Sequence, residues 1–233
     1  MALKGRVNQT IPFLSLQDEG ELQYLRMLKD GVVVTTDAFD AAIIEGRGWM
    51  VNVGALSTPA VGGGAGGTVV DIDAPELVIG VPTGTSIRPV RIEVEVGLPV
   101  GAADDDEVDI LVAVDQDKMN ASTSGTATAE TIYNMNTVKS GLSSACYANS
   151  EYTATMTDPV LDLELAHVTK VFELFSTSGS AGQGWTSSTL LYEPARLPLI
   201  NGPAMVCIYW GGTKAASGFC SAQWLEYPTS RFE

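Results

Sequence analysis

Two patterns of apolar positions stand out along the chain. In "PVRIEVEVGLP", Val90, Ile92, Val94 and Val96 alternate with Arg91, Glu93 and Glu95. A period of two puts the four aliphatic residues on one face of a strand and the charged residues on the other, as a sheet with one buried and one wet face requires. By contrast "AMVCIYW", residues 204–210, is apolar throughout. That run predicts a central strand covered on both faces, the second cover being a sequence-distant loop or a neighbouring subunit. Around these lie "VVVTT", "WMVNV", "TVVDI", "ELVIGV", "DILVAV", "EYTATMT", "VTKVFELF", "STLLYE" and "FCSAQWLEY". Each is short, rich in β-branched or aromatic residues, and bounded by Gly, Pro, Asp, Asn or Ser. No helix of crossover length separates them, which disfavours a parallel sheet. Many strands with turn punctuation predict an all-β sandwich or barrel.

Helical spacing is best at residues 14–31, where Leu22, Leu25 and Leu28 recur, Ser15 or Asp18 can cap and Gly31 can stop the helix. Gly20 interrupts it, so a short helix and an extended arm both fit. Residues 118–157 are dense in Ser, Thr, Ala and Gly, with too little apolar content for a core, and predict a surface excursion that is partly strand. A second polar stretch covers 176–189. The expected organisation is an N-terminal arm with a possible short helix over 1–60, then a sandwich over 61–233 with a Ser/Thr-rich insertion near 118–157. No linker divides the chain further.

The 233 residues are 45% hydrophobic, enough for one large β domain with a substantial core. No run approaches the ~20 apolar residues of a membrane span, and the first 20 residues lack the apolar region of a signal peptide. The net charge of −15 repels phosphate, so direct wrapping of nucleic acid is not expected. Lys4 and Arg6 are too few for a basic genome-binding arm. Cys146, Cys207 and Cys220 are odd in number and widely spaced. They are expected as buried free thiols, with a Cys207–Cys220 bridge across neighbouring strands as the alternative.

Candidate chemistry is sparse. Gly62, Gly64 and Gly67 satisfy G-x-G-x-x-G, but the glycines run into "TVVDIDAPELVIGV", which is strand chemistry with a proline. A dinucleotide site needs a helix N-terminus there, so the glycines are expected to be a connector. His167 is the only histidine; with no nucleophile elbow to serve, it is expected to be structural. The run Asp104–Glu107 with Asp109, and the set Asp115, Asp117 and Asn120, invite a calcium reading, yet neither has the alternating ligands of a calcium loop. Both are expected as turns. The sequons at Asn8 and Asn120 are read as chance matches. Trp210 and Trp224 sit in strong late strands and are expected in the core. Trp185, in a Gly/Ser-rich loop, is expected to anchor that loop onto its own domain, and is the aromatic to examine for ligand or subunit contact. No catalytic, cofactor-binding or metal-ligating residue is assigned, and no cofactor is expected.

From Ala74 to Tyr227 the layout resembles a viral jelly-roll capsid protein of the single jelly-roll type. "PELVIGVPTGTSIRPVRIEVEVGLP" is similar to an early strand pair, and "PLINGPAMVCIYWGG" with "GFCSAQWLEYP" to a closing pair. The resemblance implies an antiparallel sandwich of jelly-roll type and a structural virion protein that self-assembles into an icosahedral shell. Its partners would be copies of itself and other virion proteins, with a membrane layer as a possible underlying surface. The N-terminal arm would tie adjacent subunits, and no enzymatic activity would be expected. The second reading is a trimeric receptor- or carbohydrate-binding sandwich, in which loops around Trp185 form a groove. The third is a hydrolase using paired carboxylates, for which nothing selects the pair.

Overall fold

A computed structural model describes residues 38–55, 57–63, 70–97, 107–116, 127–150, 159–171, 174–177, 180–183, 187–213 and 216–232. The helical stretch at 14–31 lies outside them. The described chain begins with a different helix, α1 (Ala38–Ile44), followed by β1 (Gly48–Val53), β2 (Ala60–Val61), β3 (Leu77–Val81), β4 (Thr85–Gly97), β5 (Glu107–Asp115), β6 (Thr128–Ala129), β7 (Tyr133–Asn134), β8 (Tyr147–Ser150) and β9 (Leu163–Val171). The rest are β10 (Leu174–Thr177), β11 (Ser180–Gln183), β12 (Ser187–Tyr192), β13 (Ile200–Asn201), β14 (Ala204–Gly212) and β15 (Ser217–Pro228).

Two large sheets result. The first runs β12-β4-β15-β1-β7, with β13 also paired to β4 and β2 to β15; the second runs β6-β8-β3-β14-β5-β9. Every pairing is antiparallel. β10 and β11 form a separate hairpin. Among the eight strands of five or more residues, the pairing is nested: the first pairs the eighth (β1 and β15), the second the seventh (β3 and β14), the third the sixth (β4 and β12), and the fourth the fifth (β5 and β9). Gly48–Val53, inside the stretch assigned to the arm, is thus β1, between β15 and β7 in the first sheet.

The inner faces pack on each other. Val51, Val53, Ile92, Val94, Val96, Ala222 and Trp224 of the first sheet meet Leu77, Ile79, Val112, Val206, Ile208 and Trp210 of the second in one buried cluster. Beyond the second sheet a smaller cluster forms on Val78, Met205, Cys207 and Tyr209. Partly buried Val70, Ala127, Tyr147 and Leu161 close over it, and the Tyr209 hydroxyl donates to the Ile72 carbonyl at 3.0 Å. Every residue of β14 is therefore buried, and its outer cover is the chain's own loops together with the Tyr147 ring of β8. "TVVDI" contributes to this cover: Val70–Ile72 is not strand, and Val70 packs as roof. Where the sheets meet at one side, β9 lies against β12, with Lys170 Nζ donating to the Ser187 carbonyl at 2.7 Å.

One residue of the alternating strand breaks step. Arg91 lies opposite Gln223 and Pro89 opposite Trp224, so Val90 has no partner on β15. This bulge inverts the face of everything after it. Ile87 and Ile92 both point into the main core, whereas Val90 joins Leu225, Tyr227, Ala42, Phe39 and Ile43 on the outer face, under α1. The simple alternation places Val90 with Ile92; the bulge separates them.

Candidate functional site

The outer face of the first sheet is covered over half its length. On β15, Phe219, Ser221, Gln223, Leu225 and Tyr227 point outward, alternating with buried Cys220, Ala222 and Trp224. α1 lies over the Leu225 and Tyr227 end. At the other end is a groove of about 490 Å³ lined by Asn52, Val53, Gly54, Glu93, Glu95, Phe219, Cys220 and Ser221.

Strand register assembles it. Asn52, Ser221 and Glu93 stand in one cross-strand row that continues to Leu191 on β12, while Phe219, Glu95 and Thr189 form the next. Val53 and Cys220, buried below, make the floor. Gly54 adopts φ +87°, and a Cβ there would press into the Phe219 ring at 2.7 Å, so glycine both permits the turn and leaves room for the ring. Phe219 is 39% and Leu191 52% exposed. Arg91 pairs with Glu93 at 2.9 Å, whereas Glu95 has no ion-pair partner among the described residues. The groove offers an aromatic face, an amide, a hydroxyl and net negative charge.

The glycine stretch does something else. The Gly62 amide donates to the Ala216 carbonyl at 2.7 Å, and a Cβ on Gly62 would run into the Trp210 carbonyl oxygen. The Gly63 amide donates to Glu76 Oε1 at 2.6 Å, and the Trp210 amide to Glu76 Oε2 at 2.7 Å. A buried carboxyl group of the chain itself holds the Gly63 amide. Burial pushes the Glu76 carboxyl up to about 8, against the opposing pull of these backbone bonds. Residues 64–67 lie outside the described structure.

Other candidates fall apart as sites. His167 stands half-exposed on β9, with Nε2 3.8 Å from Asp109 Oδ1. Glu107 opens β5, and Asp104–Asp106 lie outside the described residues. Asp115, fully buried, ends β5 and accepts from the Val160 amide at 3.0 Å; Asp117 and Asn120 are outside, as are Asn8 and Trp185. Among the described residues no three His, Cys, Asp or Glu side chains come together as a metal group. Trp49, Trp210 and Trp224 are core. Cys146, Cys207 and Cys220 are buried free thiols. Cys207 belongs to the second sheet and Cys220 to the first, so they are not cross-strand neighbours. Burial raises all three thiols, Cys207 to about 12.

Two buried acids have no counterpart among the residues singled out from sequence. Besides Glu76, Glu226 accepts from Trp224 Nε1 and the Ala145 amide, both at 3.0 Å, and from the Ser144 hydroxyl. It anchors the excursion beside β8 to β15. Both sit as lone acids in apolar runs, "PELVIG" and "WLEYP", and that isolation was the available signal.

No family model, curated protein or solved structure matches the chain.

Proposed function

We propose that the chain is a capsid-type structural subunit built on a jelly roll, which self-assembles into a closed shell of a virion. The nested pairing of its eight longer strands carries this reading. A ribbon of four antiparallel pairs, rolled into two sheets, supports the reading as an eight-strand, two-Greek-key jelly roll, an architecture that serves viral capsids and lectins. The surface supports assembly as well. Val138 is 89% exposed, and Tyr133, Leu142 and Ile44 are exposed near it. Asn136 Nδ2 ties that loop to the Ile44 carbonyl at 3.1 Å, and Asn134 Nδ2 to the Gly46 carbonyl at 2.7 Å. A patch of this kind that meets a different surface on the next copy gives a heterologous contact, the type that closes into rings and shells. The expected partners are further copies and other virion proteins; the acidic charge disfavours direct contact with the genome.

A carbohydrate-binding sandwich is the second reading, favoured by the groove in which Phe219 stands beside Asn52, Glu95 and Ser221. Light scattering and negative-stain microscopy of the purified full-length protein separate the two. Shells or large closed arrays are expected. A discrete trimer would favour the binding module, and a stable monomer at high concentration would overturn assembly.

A further inference from the structure

The exposed apolar tip at Val138 and the open groove at Phe219 lie at opposite ends of β1. The tip belongs to one tight turn, Thr137–Lys139, in a loop exposed from Thr137 to Ser143. That turn is braced. Asn136 Oδ1 accepts from the Val138 amide at 3.1 Å while Asn136 Nδ2 donates to the Ile44 carbonyl. The loop also closes over Gly46, where an added Cβ would stand 2.7 Å from Leu142 Cδ1. A turn already held in place loses little freedom when it docks. Beside Val138, Lys139 has no ion-pair partner among the described residues.

The groove has the complementary character. Phe219 gives it an exposed aromatic edge, and Glu95, opposite Phe219 on β4, is an acid without an ion-pair partner among the described residues. At about 490 Å³ its volume is in the range that takes a small ligand, and so the side chains at the tip of one turn. An ammonium set near both an aromatic ring and a carboxylate gains from each. The chain cannot dock its own tip there. β1, Gly48–Val53, is about 17 Å long at strand rise, and the bonds to Ile44 and Gly46 pin the turn beyond its far end. Two copies meeting groove to groove would set Glu93 and Glu95 against their equivalents, a like-charge contact that costs affinity. The tip of a second copy brings the opposite charge, in a chain whose net −15 otherwise repels itself.

We propose that the Thr137–Lys139 turn of one copy docks in the Phe219 groove of the next, with Val138 against Phe219 and Lys139 toward Glu95. The inference rests on the assembly reading above and names the second surface that a heterologous contact at Val138 requires. Tip and groove are different patches of one subunit, so each copy presents one of each. The contact then runs head to tail, closing into a ring or continuing as a row according to its rotation.

Disulfide trapping between two full-length variants tests it. Val138→Cys and Ser221→Cys proteins are mixed dilute, then concentrated together under mild oxidation. The mixture is expected to give a linked dimer of one of each, and neither protein alone is expected to link. Both substitutions are small, Ser221→Cys leaves the Phe219 ring in place, and the native thiols are buried. Val138→Cys mixed with Val171→Cys, on β9 of the other sheet, is the control for random collision. Adding Lys139→Glu to the Val138→Cys protein should slow linking about two- to fivefold, the worth of an exposed ion pair. Adding Glu95→Lys to its Ser221→Cys partner as well should restore the rate, a recovery that loss of folding would not give. Linking no faster than the Val171 control overturns the proposal and leaves the groove to another occupant, such as a sugar. Failure to recover in the charge-swapped mixture overturns it too, as do links within the Ser221→Cys protein alone. Light scattering and microscopy of the unmutated protein report assembly separately. Closed shells without the tip-to-groove link would refute this contact alone, whereas the link with only rings or open rows would support it and refute the closed shell.

Discussion

Replacing Glu76 by glutamine should change how the fold responds to pH. The carboxyl is buried against Gly63, Trp210 and Tyr209, with Asp71 the charged neighbour. Burial raises it from 4.5 to about 8. Below pH 4.5 the folded and unfolded chains both hold the proton, and the full stability is present. As pH rises the unfolded chain ionises first, so stability is lost between about 4.5 and 8 and levels off above. At about 1.36 kcal/mol per pH step the whole loss is of order 5 kcal/mol, or roughly 10 °C or more in melting temperature for a domain of this size.

Glutamine removes that dependence and adds a fixed cost. The carboxyl offers an oxygen to each of two amides, at 2.6 and 2.7 Å, whereas an amide side chain has one acceptor. One buried N–H is left facing a donor, at about 1–3 kcal/mol. Thermal melts at several pH values between 4.5 and 8 should therefore show the wild type ahead at the acid end and the Glu76→Gln variant level or ahead at pH 8. Other carboxylates, and the self-repulsion of an acidic chain, affect both proteins alike and cancel in the difference. Parallel curves for the two proteins would refute the reasoning.

Deleting Val90 removes the bulge and reverses the faces on one side of it, turning either Ile87 or the set Ile92, Val94 and Val96 out of the core. Circular dichroism should show loss of the cooperative melt, and a melt within a few degrees of wild type would contradict the assigned register. Gly62→Ala drives a methyl into the Trp210 backbone, which a flexible side chain cannot relieve, and should cost about 1–3 kcal/mol in urea unfolding. The three thiols should resist a disulfide exchange reagent in the folded protein at pH 8 and all react in denaturant, because they are buried and held as thiols; rapid native labelling of Cys207 would place it at the surface.

Strand identity was legible because burial leaves its period in the residues. Ile92, Val94 and Val96 alternate since one face of β4 is core, and 204–210 does not alternate since both faces of β14 are covered. What covers β14 was not legible, because a roof assembled from Val70, Ala127, Tyr147 and Leu161 is a long-range event with no local period. The Val90 bulge hid for a related reason: an aliphatic residue fits either face, so inverted phase leaves the hydrophobic pattern intact. The seven residues of α1 are too few to display helical spacing, and their helix rests on docking to Leu225 and Tyr227. The groove was equally invisible, since Asn52, Glu95 and Phe219 lie on three strands far apart in the chain and meet only through register.

β14 and β15 are close in sequence and each is central in its sheet, yet they dictate opposite fates for their outer faces. Met205, Cys207 and Tyr209 give β14 an outward row that water would penalise, and the chain's own loops and the Tyr147 ring of β8 close over it. Ser221 and Gln223 give β15 a row that tolerates water, so no loop is required there and α1 need seal only the apolar Leu225 and Tyr227. Phe219, at 39% exposure, is the exception in that polar row. Its ring stands where Gly54 leaves it room, with Glu95 opposite it on β4. Most of the ring is covered and stabilises the strand pair beneath it, while its remaining exposed edge is the one large apolar area this row leaves to water.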